Sequence, residues 1–479
     1  MIRCNKMVSF VFVLVFAAQT GVAQEYTVDP WMQDFHQLLS EIAVHYANLE
    51  WVANERRVDL PKLKATTEER LRQAKSDEEA RRAFERFLKS FGDAHVEIRW
   101  KPKSNASSAD QKISFCERLG YNQEDRSGGI DWSIFPEYTP LQDAEAADFP
   151  GGILQLQDKK IGVVRIGLFS EHAHPGLCGE AQKNLHIADD AKCDEKCEDD
   201  FEVGVGNLVT AALERRLQSL ARAGAQSILV DITGNGGGTN WVEPAARVLT
   251  PIPLKSPRLG FVKHEHWTHQ LQDELRDVER DLQHASPTDR GLLTSAAEML
   301  RATIAKTSVP CDRMVLWTSS PAELHCSQVV IGPMYTSGML PYARDGMFST
   351  LNSQAVLFSP AQYVYHEGIN RRPVTVLVDG NTASSAEYFA AMLQDNKAAR
   401  LVGQVTVGAG CGFTNGGIPT VLKNSGAQVR LPDCMRLRAD GSDEVSGITP
   451  DILLPWADRD SRYQQSLKLK RWLEGPGEK

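Results

Sequence analysis

The 479-residue sequence lacks a basic excess, a second long apolar run, internal repeats and low-complexity tracts. Its 53 Lys and Arg against 62 Asp and Glu leave a net charge of −9. That balance argues against a nucleic-acid backbone as the main partner, because phosphate binding needs concentrated cationic charge. The motifs H-E-x-x-H, G-x-G-x-x-G and G-x-x-x-x-G-K-S/T are also missing, which weighs against zinc-hydrolase, dinucleotide and nucleoside-triphosphate chemistry. What is present is ordinary globular composition. At 42% hydrophobic residues the chain can bury real cores, and its length allows two to four folding units.

The N-terminus sets the compartment. Arg3 and Lys6 precede an apolar stretch at 8–18, followed by Gly21, Val22 and Ala23, the order of a secretory signal peptide. The stretch is shorter than the roughly 20 residues of a spanning helix, so residues 1–23 are expected to be cleaved. The protein is expected to be exported, periplasmic or extracellular, with no integral membrane segment left. Cys4 lies ahead of the apolar stretch and is not placed for lipid attachment. Eight cysteines remain, an even number that fits disulfides in an exported protein. Proximity alone suggests Cys311 with Cys326 and Cys411 with Cys434. Cys178, His186, Cys193 and Cys197 offer four zinc-type ligands but lack the close C-x-x-C pairs of structural sites.

Four regions follow from pattern. Residues 24–100 read as a helical domain, with Phe35, Leu38, Leu39 and Ile42 on one face, ending in an Asp93-Ala94-His95 segment and a half-buried strand through Val96, Ile98 and Trp100. Residues 101–158 are polar and Gly/Pro-rich, a connector or small β module. From 159 onward the texture is α/β. Ser227-Ile228-Leu229-Val230-Asp231-Ile232 runs into Gly234-Asn235-Gly236-Gly237-Gly238, and Val374-Thr375-Val376-Leu377-Val378 runs into Asn381-Thr382-Ala383-Ser384-Ser385-Ala386-Glu387 and a helix. Two strand-loop-helix units indicate a layered α/β core. An insertion at about 251–345 carries a charged helical pair and forms either a lid over a cleft or a structural excursion.

Ser384 sits at a strand-to-helix turn, where free N–H groups and the helix dipole favour negative charge on a nearby oxygen. Ser384-x-x-Glu387 is equally a capping box, in which the hydroxyl satisfies an orphan amide. The glycine loop suits either a tight turn or a backbone cradle for an oxyanion. His95 stands at the mouth of its strand, and His264-x-His266 is too small a set to indicate a metal.

The order of these segments is more specific than any one of them. Strand, Gly-Asn-Gly-Gly-Gly loop, long interval, strand, Thr-Ala-Ser-Ser-Ala-Glu helix, Gln394-Asp395, Leu401-Val402-Gly403 and Gly447-Ile448-Thr449-Pro450-Asp451 resembles the tail-specific, or C-terminal-processing, serine peptidase family. The resemblance spans about 160–456 plus the Asp-x-His segment. It implies a layered β/α core of the ClpP/crotonase-like kind, peptide or protein substrates and no cofactor or metal. It places the nucleophile on Ser384 and the oxyanion hole on the Ser385 amide with Gly236 or Gly237. The Ser–Lys branch carries a lysine in Thr-Phe-Gly-Lys-Gly, and here the segment is Thr406-Val407-Gly408-Ala409-Gly410. The resemblance is therefore closer to the tricorn-core-like Ser–His branch, which implies His95 as base and Glu444 as the orienting acid, with Asp93 and Asp443 as substitutes. No clear PDZ carboxylate-binding loop is present. An inactive ligand- or peptide-binding protein on the same fold is the alternative expectation.

Overall fold

The computed structural model describes residues 26–101, 113–121, 128–319, 324–348, 350–413, 419–457 and 459–474; the signal-like segment lies outside them. The strands are β1 (Glu97–Arg99), β2 (Tyr138–Pro140), β3 (Gly151–Leu156), β4 (Lys159–Arg165), β5 (Ser227–Asp231), β6 (Arg258–Val262), β7 (Val329–Tyr335), β8 (Val374–Val378), β9 (Arg400–Gly403), β10 (Thr420–Val421), β11 (Gln428–Arg430), β12 (Cys434–Leu437) and β13 (Ile452–Leu453). Seven of them form one mixed sheet in the order β13-β9-β8-β5-β4-β3-β2. β4, β5, β8, β9 and β13 run parallel, and β3 and β2 complete one edge antiparallel.

The central strands are continuously apolar because both faces are covered. Val164, Ile228, Val230, Val376 and Val378 pack with the helices Glu195–Arg222, Val242–Arg247 and Ser385–Asp395. Val163, Leu229, Leu377 and Val402 point the other way and pack with Leu454, Trp456 and, from the C-terminal helix Arg462–Glu474, Leu469. Since successive residues of a strand face opposite sides, one run of branched side chains feeds two cores.

The helices Val28–His45, Leu49–Asn54, Leu60–Gln73 and Asp77–Lys89 make the expected N-terminal body. Asp59 and Ser76 cap the last two by accepting amides three residues on. Phe35, Phe84 and Phe87 pack with Leu422, Val429 and Leu431, so this body sits on a small sheet of order β1-β11-β10. The insertion contributes β6 and β7, which join β12 in a third sheet, with helices Glu265–His284 and Pro287–Thr307 packed on it.

Two sequence expectations change. The boundary drawn at 159 falls inside the main sheet, because β2 and β3 from the supposed connector pair onward to β4. The strand expected through Val96, Ile98 and Trp100 shortens to Glu97–Arg99, because the Asp93 carboxylate and carbonyl take the amides of His95 and Val96 and turn the chain just before it. Disulfides join Cys116–Cys178, Cys193–Cys197, Cys311–Cys326 and Cys411–Cys434. The two proximity pairs are present, and the sulfurs of the zinc-type set are committed to disulfides. No helix among the described residues is long and apolar enough to cross a membrane.

Candidate active site

Because β5 and β8 are parallel neighbours with Asp231 beside Leu377, their following loops leave the sheet at the same end. That edge, beyond the carboxyl ends of parallel strands, is where α/β sheets present ligand-binding loops. Here the loops are tied together: the Gly234 amide donates to Asp379 Oδ1 at 2.8 Å, and the Ala383 amide to the Asn235 carbonyl at 2.9 Å. A Cβ added to Gly237, whose φ is +104°, would lie 2.7 Å from Ser384 Cβ and 2.8 Å from Ser385 N. Only glycine permits that approach.

Ser384 has φ +56° and ψ −122°, an uncommon conformation for a residue with a side chain. Surrounding bonds hold it there. Its amide donates to Glu387 Oε2 at 2.8 Å, and its carbonyl accepts from the Glu387 amide at 2.9 Å and from Arg436 Nη2 at 3.0 Å. The fully buried Glu387 does more than cap the helix. Its two oxygens also accept the Thr406 hydroxyl and the amides of Gly408 and Ala409 at 2.6–2.9 Å, fastening the loop 406–410 to the serine turn.

His95 reaches this turn from the N-terminal body. Its backbone is set by the buried Asp93, whose carboxylate also accepts the Tyr46 hydroxyl and the Asn48 amide; burial pushes the Asp93 carboxyl up to about 6. The imidazole Nδ1 lies 2.6 Å from the Ala409 carbonyl, and Nε2 lies 3.1 Å from Ser384 Oγ. A carbonyl only accepts, so Nδ1 carries the proton and Nε2 presents its lone pair to the hydroxyl. Burial lowers the His95 pKa from its ordinary value, the Ala409 carbonyl opposes that, and the Arg436 charge adds to it. The ring is therefore neutral at pH 7. Phe413 stands edge-on to it, with ring centroids 5.7 Å apart.

Glu444 does not contact the imidazole, contrary to expectation. It is fully buried, and its Oε2 accepts from Arg436 Nε at 2.6 Å, while Oε1 has no partner among the described residues. Burial raises its carboxyl and the guanidinium draws it back. A main-chain carbonyl thus occupies the place expected for a carboxylate. Asp93 is bound to His95 through the backbone alone. Asp443 Oδ1 accepts the Val445 amide, its Oδ2 is buried without a partner among the described residues, and burial pushes the carboxyl up to about 7.

Of the expected oxyanion donors, the Gly237 amide is committed to Asn235 Oδ1 at 2.9 Å. The amides of Gly236 and Ser385 have no acceptor among the described residues. His264 caps the helix Glu265–His284, and His266 Nε2 lies 2.9 Å from Asp433 Oδ2. Among the described residues no group of His, Cys, Asp and Glu is arranged to hold a metal ion.

Sequence reasoning missed Arg436 and Asn235. Arg436 lies on a short strand between Met435 and Leu437, where a charged residue normally marks a solvent face; here it is buried. Asn235 carried a usable signal, because an Asn within a glycine run folds its side chain onto the amide two residues on.

Comparison with curated protein sequences gives no match. Among solved structures, mature CPAF is 15% identical, with 93% of this chain and 96% of that one covered and a TM-score of 0.59. Mature CPAF complexed with lactacystin is likewise 15% identical, covering 93% and 98% at a TM-score of 0.54. At that identity the likeness shows a shared fold. Residues 160–454, well over half of the chain, match the family described as Peptidase family S41. The chain belongs to that family of serine peptidases.

Proposed function

We propose that the protein is an exported serine endopeptidase in which Ser384 is the nucleophile and His95 the general base. The observation that carries this reading is the 3.1 Å separation of His95 Nε2 and Ser384 Oγ, with the opposite ring nitrogen held by a carbonyl. Nε2 takes the hydroxyl proton as Oγ attacks a peptide carbonyl, and the imidazolium then protonates the leaving amine. The Ala409 carbonyl fixes the tautomer. Water, activated by the same ring, hydrolyses the acyl-enzyme.

The free amides of Gly236 and Ser385 supply the oxyanion donors, each worth about 3–4 kcal/mol in comparable sites. Gly237 serves by its closeness to Ser384 instead of its N–H. Ala409, in the lysine position of the Ser–Lys branch, contributes its backbone, so loss of the amine leaves the chemistry intact. Four disulfides support an oxidising compartment and thus export.

The test is labelling by a fluorophosphonate, with Ser384→Ala and His95→Ala as variants. Labelling at Ser384, lost in the first and strongly slowed in the second, is the expected result. Labelling or peptide hydrolysis untouched by Ser384→Ala would overturn the nucleophile assignment.

A further inference from the structure

One buried charge at this site is not used by the chemistry above. Arg436 on β12 is 5% exposed, and its guanidinium contacts both the nucleophile turn and the loop that holds the imidazole. Nη2 donates to the Ser384 carbonyl at 3.0 Å and to the Gly410 carbonyl at 2.5 Å, Nε donates to Glu444, and Cζ lies 5.2 Å from the Tyr388 ring centroid. Gly410 follows Ala409, the residue that holds His95 Nδ1. The same loop and strand are joined a second time by the Cys411–Cys434 disulfide.

We infer that Arg436 is a positioning residue of the peptidase, locking the nucleophile turn and the imidazole-holding loop into one unit, and that Glu444 serves as its counter-ion. The inference rests on the Ser384–His95 reading of the site. A planar guanidinium meets two carbonyls and a carboxylate in a fixed fork, a pattern an ammonium matches only in part. A cation this buried needs a paired anion, and Glu444 is within 2.6 Å of it. The Ser384 carbonyl belongs to a residue with positive φ, so the bond from Arg436 also holds a conformation the backbone would otherwise leave.

The charge acts on His95 as well as the geometry. Arg436 disfavours the imidazolium and Glu97 favours it; Asp93 lies under the His95 backbone, and Glu387 binds the loop on the other side. Replacing Arg436 by a neutral side chain therefore moves the His95 titration upward.

The experiment has two arms. In protein carrying Ser384→Ala, the His95 ring is titrated by NMR with and without Arg436→Met and Arg436→Lys. The expected result is a higher His95 pKa with Met and a value near the parent with Lys. An unmoved titration in the Met variant would overturn the electrostatic part.

In the active protein, Arg436→Met should lower kcat about a hundredfold, as a misplacement near 1 Å does, with KM little changed, and Arg436→Lys should recover part of that loss. Unchanged kcat, or a loss confined to KM, would overturn the positioning role. If Arg436→Met fails to fold, the Lys variant and Glu444→Gln carry the test through a double-mutant cycle. A counter-ion predicts losses far from multiplicative, whereas independent, multiplying losses overturn that role for Glu444. Should Ser384→Ala leave hydrolysis intact, the Ser384 nucleophile assignment fails while the NMR arm still reports on Arg436.

Discussion

Replacing Gly237 by alanine probes the contact between the two loops that build the site. The new Cβ would lie 2.7 Å from Ser384 Cβ, 2.8 Å from Ser385 N and 2.9 Å from the Ala383 carbonyl oxygen. Carbon atoms in contact settle at about 3.5–4.0 Å, so the glycine loop must recede by about 1 Å. The φ of +104° adds about 1–3 kcal/mol of backbone strain. Stability should fall by at least that range, and the Gly236 amide should move off line with Ser385. A shift of that size costs about a hundredfold in rate.

The assay compares fluorophosphonate labelling rate, peptide hydrolysis and melting temperature with those of Gly291→Ala. Gly291 lies in the helix Pro287–Thr307, and a Cβ there meets nothing within 4 Å. Alanine at that site should stabilise by up to about 1 kcal/mol. If Gly237→Ala labels, cleaves and melts like the parent, the proposed loop apposition is wrong.

Because burial lowers the His95 pKa, the imidazole remains a neutral base at pH values where a free one is protonated; the acid limb of kcat/KM should lie below pH 6.5, and a limb centred above it would contradict the assignment. Asp443, raised from 3.8 to about 7, binds its proton more tightly folded than unfolded, so folding stability declines as pH rises through that interval. Asp443→Asn removes the decline. At about 1.4 kcal/mol per pH unit the gain at pH 8 has an upper bound of about 4 kcal/mol, to be read from denaturant unfolding at pH 5 and pH 8; identical pH dependence of the two proteins would count against it. Changing Cys411 and Cys434 together to serine opens a link spanning 23 positions and should cost about 3 kcal/mol, with slower labelling of Ser384. Unaltered labelling in the folded double variant would show that Glu387 and Arg436 hold the loop without the disulfide.

The sheet was legible because parallel strands buried on both faces must be apolar, as in Val374–Val378, and because glycine and serine punctuate their ends. Ser384 and His95 stood out by residue type and place in the order of segments. The partners of His95 were hidden for a physical reason: the acceptor for Nδ1 is the carbonyl of Ala409, an atom every residue possesses, so no side chain advertises it. Glu444 was expected to serve the imidazole because carboxylates pair with histidines in such sites, yet a guanidinium eight positions earlier competes for it and wins. Likewise β2 was overlooked in a polar stretch because it is the edge strand, where burial demands less of the sequence, and β3, which pairs with it, was passed over with it.

The imidazole and hydroxyl paired in the proposed mechanism lie 289 positions apart, and the loop whose carbonyl meets the imidazole comes later still in the chain. During synthesis the amino-terminal helices emerge carrying a proton acceptor with nothing to act upon. The hydroxyl follows, but the strand bearing Arg436 and Cys434 is made last of all these parts. On the proposed mechanism, the reacting pair and its holding loop are therefore complete only once most of the chain has been made.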